Sequence, residues 1–211
     1  MEVKYMDLVK ESWAMVKVDL GFFIVGMLIV GCVGSCTGNI LTPALTVGYI
    51  MAIMKKMNGE KVAAGDIFSL GMSKFLPAFI TSIIMGIAIS IGSVLLIVPG
   101  IIASYTAMLA LYIIADAEDK DKIDFKEVIK QAFELFKANW KVLILGSIVA
   151  GFFGSLGTIA CGIGAFVTMP IGWVMMTKIY QLIRDNGAAP AAAAAEAPAA
   201  EAPAAEAAAE A

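Results

Sequence analysis

The stretch SVLLIVPGIIASYTAML (Ser93–Leu109) sets a proline and a glycine at the centre of a charge-free run from Phe75 to Ala115. Those 41 residues are about twice the ~20 that span a hydrocarbon layer at 1.5 Å rise per residue. A proline removes a backbone hydrogen bond inside a helix but is tolerated in the first turn, where its missing N–H had no partner anyway. Val98-Pro99-Gly100 therefore reads as a tight turn at the far membrane surface, with one helix entering and one returning.

The same device recurs on both sides. LGFFIVGMLIVGCVGSCTGN leads into TPALTVGYIMAIM with Pro43 at the start of the returning limb, and WKVLILGSIVAGFFGSLGTIACGIGAF leads into VTMPIGWVMMTKIYQLI with Pro170 in the equivalent place. The expected fold is all-α: an integral membrane bundle of six transmembrane helices arranged as three hairpins. A segment mixing charge with aromatics precedes each hairpin: Tyr5 to Asp19, Asp66 to Lys74, and Phe125 to Asn139. Laying Trp13 on Phe133 also lays Asp19 on Asn139 and Leu20 on Trp140. These features predict an internal repeat of interfacial helix plus hairpin over about 1–57, 62–116 and 123–184, within a membrane domain of residues 1–187.

Composition agrees. The chain is 60% hydrophobic and 16% charged, with mean hydropathy +0.87, too little polar surface for a water-soluble globule of this size. The net charge is −3, and Glu196, Glu201, Glu206 and Glu210 supply more than that deficit. No basic face exists to recruit nucleic acid or to act as a polybasic anchor. The three hairpin tips, GSCTGNILT, VPG and GTIACGIGAFVTMP, carry no charge at all. A lysine at the bilayer centre costs about 2.5–3.5 kcal/mol on insertion scales, so this segregation places the tips on the translocated side and both termini in the cytoplasm of a multi-pass cell-membrane protein. Lys55 and Lys56, at the end of a short returning limb, and Lys178, in the last one, are expected to reach back to that cytoplasmic side.

Amphipathic stripes run through Val3, Met6, Trp13, Val16 and Leu20, and through Phe125, Val128, Ile129, Ala132, Phe133, Phe136 and Trp140, as in helices lying in the interface. Asp124 and Glu127 fit a capping-box start for the second. Within the spans, association in lipid relies on close packing of small residues. Ser82, Gly86 and Ser90 continue such a face from Ala78, while Gly146, Ala150 and Gly154 form one face of the fifth span and Ser147, Gly151 and Ser155 another. Asn39, Thr42, Ser93, Thr158 and Thr168 are the polar residues near the far mouth, read chiefly as turn or cap residues. Pro43, Pro99, Gly100 and Pro170 are the structural turns.

No catalytic residue, metal site or cofactor is assigned. The chain has no histidine, and Cys32, Cys36 and Cys161 lack the spacing of a metal knuckle. Ile29-Val30-Gly31-Cys32 looks like a lipoprotein processing site, but the residues before it mix acids with lysines, unlike a basic secretory leader. The carboxylates between Asp116 and Asp124 lack the glycine and terminal glutamate of a calcium loop. Residues 188–211, AAPAAAAAEAPAAEAPAAEAAAEA, contain nothing that can form a core and are read as a disordered acidic Ala/Pro/Glu tail.

NGEKVAAGDIFSLG, LLIVPGIIASY, VIKQAFELFKANWKVL and TMPIGWVMMTKIYQLI together resemble a broad group of prokaryotic polytopic membrane proteins of uncharacterised function, similar to the membrane domain found ahead of some glycerophosphodiester phosphodiesterases. The phosphodiesterase itself would be a separate, histidine-containing barrel, which this chain lacks, so the resemblance implies a membrane module with no catalytic residue to carry over. The expected role is noncatalytic: organising membrane lipid or partner proteins at the cytoplasmic surface, with self-association left open. The alternative is a small transporter or pore for a neutral or lipidic solute. In intact cells, Cys36 and Cys161 should react with an impermeant thiol reagent from outside, or be paired there, while a reporter fused after Ala211 should report cytoplasm; a proline turn found on the carboxyl-terminal side would overturn the topology.

Overall fold

The computed structural model describes residues 3–95, 97–117, 123–159 and 165–188, and every regular element among them is helical. Helix α1 (Tyr5–Val18) turns through 89° into α2 (Leu20–Cys36), which carries a π-helical turn at Ile29–Val33. After a turn in which Gly38 and Asn39 both adopt left-handed backbone (φ 62° and 66°), α3 (Thr42–Met57) follows, then the short α4 (Asp66–Ser73). Helices α5 (Phe75–Leu95), α6 (Ile97–Asp116), α7 (Phe125–Ile159) and α8 (Ala165–Ile183) complete the bundle, with a closing π-helical turn at Arg184–Ala188. The acidic tail and Cys161 lie outside the described residues.

Three stretches are long and apolar enough to cross a membrane, Phe75–Gly92, Val98–Asp116 and Phe125–Ser155, and the bent pair α1–α2 raises the number to four. Helix α3, at 16 residues, is about 24 Å long and falls short of that length. It is nonetheless the hub: Ala44 through Ile50 and Ala52 through Met54 are all buried, and α3 touches α2, α4, α5, α6 and α8.

Neighbouring helices run antiparallel in three pairs. Gly26 lies under Tyr49 and Gly34 under Thr42, joining α2 to α3. Gly92 abuts Pro99 and Gly100 while Lys74 reaches the carbonyls of Ile114 and Ala115, joining α5 to α6. Gly146 meets Ile179 and Gly154 meets Met169, joining α7 to α8.

Each pair begins at a joint of the same kind. Asp19 (φ −139°, ψ 56°), Lys74 (φ −119°, ψ 25°) and Asn139 (φ −125°, ψ 19°) each interrupt the helical backbone between a charged helix and an apolar one. Burial beyond the joints runs in phase. Four residues on, Phe23, Ala78 and Leu143 are buried; seven on, Gly26, Thr81 and Gly146 are buried; nine on, Leu28, Ile83 and Ile148 are exposed.

Several sequence expectations need correction. Pro170 lies inside α8, five residues past its start, so the helix begins earlier than the proline rule suggests, at the cost of one backbone bond in its ladder. Asp124 caps the N–H of Lys126 (2.9 Å), but Glu127 accepts from Gln131 instead of closing a reciprocal box. The amphipathic stripes are split. In α1, Leu8, Val9 and Val16 pack inward while Met6 and Trp13 stay exposed; in 125–138, Val128, Ala132 and Phe136 pack inward while Phe133 is exposed. A helix lying between protein and bilayer meets two apolar surroundings, so its apolar arc is shared between them.

The α3–α4 contact sets the tightest backbone approach. A Cβ on Gly48 would fall on the Ile67 carbonyl and within 2.7 Å of the Gly71 nitrogen. Gly48→Ala should therefore lower the melting point of the detergent-solubilised protein, by about 1–3 kcal/mol of overpacking, whereas Gly21→Ala, with nothing within 4 Å, should leave it unchanged or raised.

Candidate functional site: an ion-paired interfacial layer and a methionine-lined cleft

At one end of the bundle charged side chains link different helices. Asp19 accepts the Phe22 N–H at 3.3 Å, capping α2, and is ion-paired with Lys56, whose ammonium also lies 4.2 Å from the Phe22 ring centroid. Lys178 on α8 pairs with Glu11 on α1 at 2.7 Å. Asp116 at the end of α6 pairs with Arg184 at 2.6 Å and accepts from the Tyr180 hydroxyl at 3.4 Å. Lys74 is only 4% exposed, and its ammonium donates to the carbonyls of Ile114 (2.8 Å), Ala115 (3.1 Å) and Ala117, where α6 ends and orphan carbonyls carry partial negative charge. Lys55 pairs with Glu60 at 2.7 Å just past the end of α3.

The outer surface of this layer carries lysines over aromatic rings: Lys17 over Trp13 (5.0 Å), Lys137 over Phe133 (5.6 Å) and Lys141 over Trp140 (5.5 Å). All three rings are substantially exposed, at 36%, 42% and 48%. Each presents an amphipathic ring and a cation together, the pairing enriched where hydrocarbon meets headgroups.

The two small-residue faces of α7 have different fates. Gly146 lies under Ile179 of α8, whereas Ala150 and Gly154 approach α8 and also line a cleft beside it; a Cβ on Gly172 would be 3.2 Å from the Ala150 carbonyl oxygen. Thr168 strengthens the seam by donating to the Gly154 carbonyl at 2.7 Å. On the second face, Gly151 has nothing within 4 Å of where a Cβ would stand. That face opens on a cleft of about 370 Å³ whose opposite walls are Met108 and Tyr112 from α6 and Met169, Trp173 and Met176 from α8. Ser147 lines it while bonded to the Tyr105 hydroxyl. The Tyr112 hydroxyl is buried.

The α5 face does not pack as expected. Ser82 is half-buried, and Gly86 and Ser90 are exposed, because the inward positions are Ala78, Thr81 and Met85. Two bulky neighbours, Thr81 and Met85, fill the interior better than the glycine face one step round the helix. Thr42 donates to the Asn39 side-chain amide oxygen Oδ1 (3.1 Å) within the α2–α3 turn, and Thr168 serves the α7–α8 seam, so these residues act locally. Ser93 and Thr158 lie where side chains are outside the described residues. Pro43 occupies the first turn of α3; Val98, Pro99 and Gly100, expected to be the turn itself, instead lie in the first turn of helix α6, where the missing proline N–H costs no ladder bond. Among the described residues no cluster of three or more acids, cysteines or histidines is placed to hold a metal. Sequence reasoning missed Lys74 as a helix-terminus cap; its alignment with Asp19 and Asn139 at the joints was the available signal.

The Lys56 ammonium holds the Asp19 carboxyl below the usual carboxylate range, against partial burial, and the Phe22 N–H adds to the pull. A depressed carboxylate contributes stability that is fully present above its unfolded pKa of about 3.9 and is lost as pH falls through the lower folded value. The melting-point gap between the wild type and Asp19→Asn should therefore be constant above about pH 5 and close below about pH 4. Comparison with family models, curated proteins and solved structures finds no match to this chain.

Proposed function

We propose that the chain is a six-span, noncatalytic integral membrane protein, both termini cytoplasmic, that organises lipid at the cytoplasmic face of the cell membrane. The observation that carries this reading is the one-sided layer of interfacial helices, with Trp13–Lys17, Phe133–Lys137 and Trp140–Lys141 turned outward while Glu11, Asp19 and Asp116 are drawn into inter-helix ion pairs. With Asp19, Glu11 and Asp116 engaged, the outward lysines face the headgroup region as cations beside rings. Three joints of one geometry, with burial in phase beyond them, support three repeated hairpins and hence α3 and α8 as short or interrupted spans completing the six. The acidic tail and the resemblance to a membrane module lacking its enzyme fit a platform role, in which a cytoplasmic or membrane protein partner docks on the same layer.

A second reading, a transporter for a neutral or lipidic solute, draws on the cleft beside α7. Reconstitution separates the two. In vesicles mixing zwitterionic and anionic phospholipid, the intact chain should enrich anionic lipid around itself, and Lys17→Gln, Lys137→Gln and Lys141→Gln together should remove that enrichment, each lysine contributing about 1 kcal/mol near the surface. Saturable solute flux without lipid enrichment would reverse the ranking.

A further inference from the structure

The cleft between α6, α7 and α8 differs chemically from the ion-paired layer. Ser147 and Ser155 on its α7 wall stand 8 and 16 residues beyond the Asn139 joint, about 12 and 24 Å along the helix. In a hydrocarbon layer of about 30 Å that depth lies inside the acyl region and toward the leaflet opposite the charged layer. None of the residues lining the cleft is ionisable at neutral pH. An ionised headgroup there would be buried without a counter-charge, which is strongly unfavourable. The serine hydroxyls are already committed, Ser147 to Tyr105 and to the Ile144 carbonyl (2.9 Å) and Ser155 to the Phe152 carbonyl (3.0 Å). Water would find few of the two to four partners that it needs.

An empty groove of this size would forfeit dispersion contacts along both walls. Ile148 and Phe152, next to the cleft on α7, are each 61% exposed, and Met169 at its α8 edge is 47% exposed, so the groove continues the apolar outer belt of the bundle rather than leading to an aqueous surface. Its walls include Met108, Met169 and Met176, whose unbranched, polarisable side chains adapt to a flexible chain. The open Gly151 position forms the floor.

We propose that this cleft is a binding site for one acyl chain of a phospholipid from the leaflet opposite the ion-paired layer, with the headgroup remaining at the membrane surface outside the cleft. This inference rests on the transmembrane reading above but concerns a different leaflet and a different kind of recognition. Selectivity is for the chain and is indifferent to the head.

Trp173 lines the cleft and provides the readout. In the full-length protein carrying Trp13→Phe and Trp140→Phe, reconstituted in vesicles containing phospholipid brominated along one acyl chain, Trp173 fluorescence should be quenched saturably at a low mole fraction of brominated lipid, equally for choline and glycerol headgroups. Gly151→Leu fills the groove where nothing stands within 4 Å, and should return quenching to the gradual dependence of bulk lipid. Gly86→Leu, at a similarly open position on the exposed face of α5, should leave it saturable. Quenching unaltered by Gly151→Leu, strong headgroup dependence, or a change in oligomeric state with Gly151→Leu would overturn the proposal, the last by making a second copy the occupant. A chain that does not co-float with vesicles would overturn the transmembrane reading; co-flotation with only bulk-lipid quenching overturns the acyl-chain site alone.

Discussion

A helix that changes direction leaves backbone groups unpaired, and the structure depends on three polar joint residues, of which Asp19 and Asn139 bond backbone beside their own bend and Lys74 bonds the end of α6. Asp19 accepts the Phe22 N–H, Asn139 donates to the Leu135 carbonyl at 3.2 Å, and Lys74 donates across to the last carbonyls of α6. Each joint residue is polar and each spends its side chain on backbone. An unpaired amide in an apolar setting costs several kcal/mol, so a leucine at any of these positions would favour a straight continuation over the bend. The bend is what allows one continuous run of sequence to lay an amphipathic helix on the surface and drive an apolar one inward.

The joints also define an end of the molecule. Asp19–Lys56 ties α2 to α3, Glu11–Lys178 ties α1 to α8, and Asp116–Arg184 ties α6 to the segment after α8. Isolated surface ion pairs contribute little. These join elements far apart in the chain at partly covered positions, so their effect is chiefly to fix which helix lies beside which. Away from this layer the helices are held by glycine and alanine approach, as at Gly48 on Gly71 and Gly172 on Ala150. Polar fastening at one end and close backbone packing along the length leave a groove unfilled beside Gly151.

The two surfaces thus divide the apolar and charged tasks. Lysine–aromatic pairs lie on the outside of the layer, and the cleft has methionine walls. Tyr49 and Tyr112, buried together with their hydroxyls, show that the bundle interior between them is not fully apolar. Tyr49 sits edge-on to Trp173 at 6.0 Å, which connects the hub helix α3 to the cleft wall.

The amino-acid sequence by itself determined the all-helical class, the charge-free apolar runs around Pro43 and Pro99, and the joints at Asp19 and Asn139, because hydropathy, charge and proline act through windows of a few residues. It also marked both small-residue faces of α7. Only the tertiary structure decided that Gly146 is covered by Ile179 while Gly151 borders a cleft, that Thr81 and Met85 displace Ser82 and Gly86 from the interior of α5, that α8 begins before Pro170, and that Lys74 caps a helix 40 residues away. Those outcomes depend on the shape of a neighbouring helix and on its rotation about its axis. Spacing within a single helix can present a face, but it carries no information on which partner arrives to cover it.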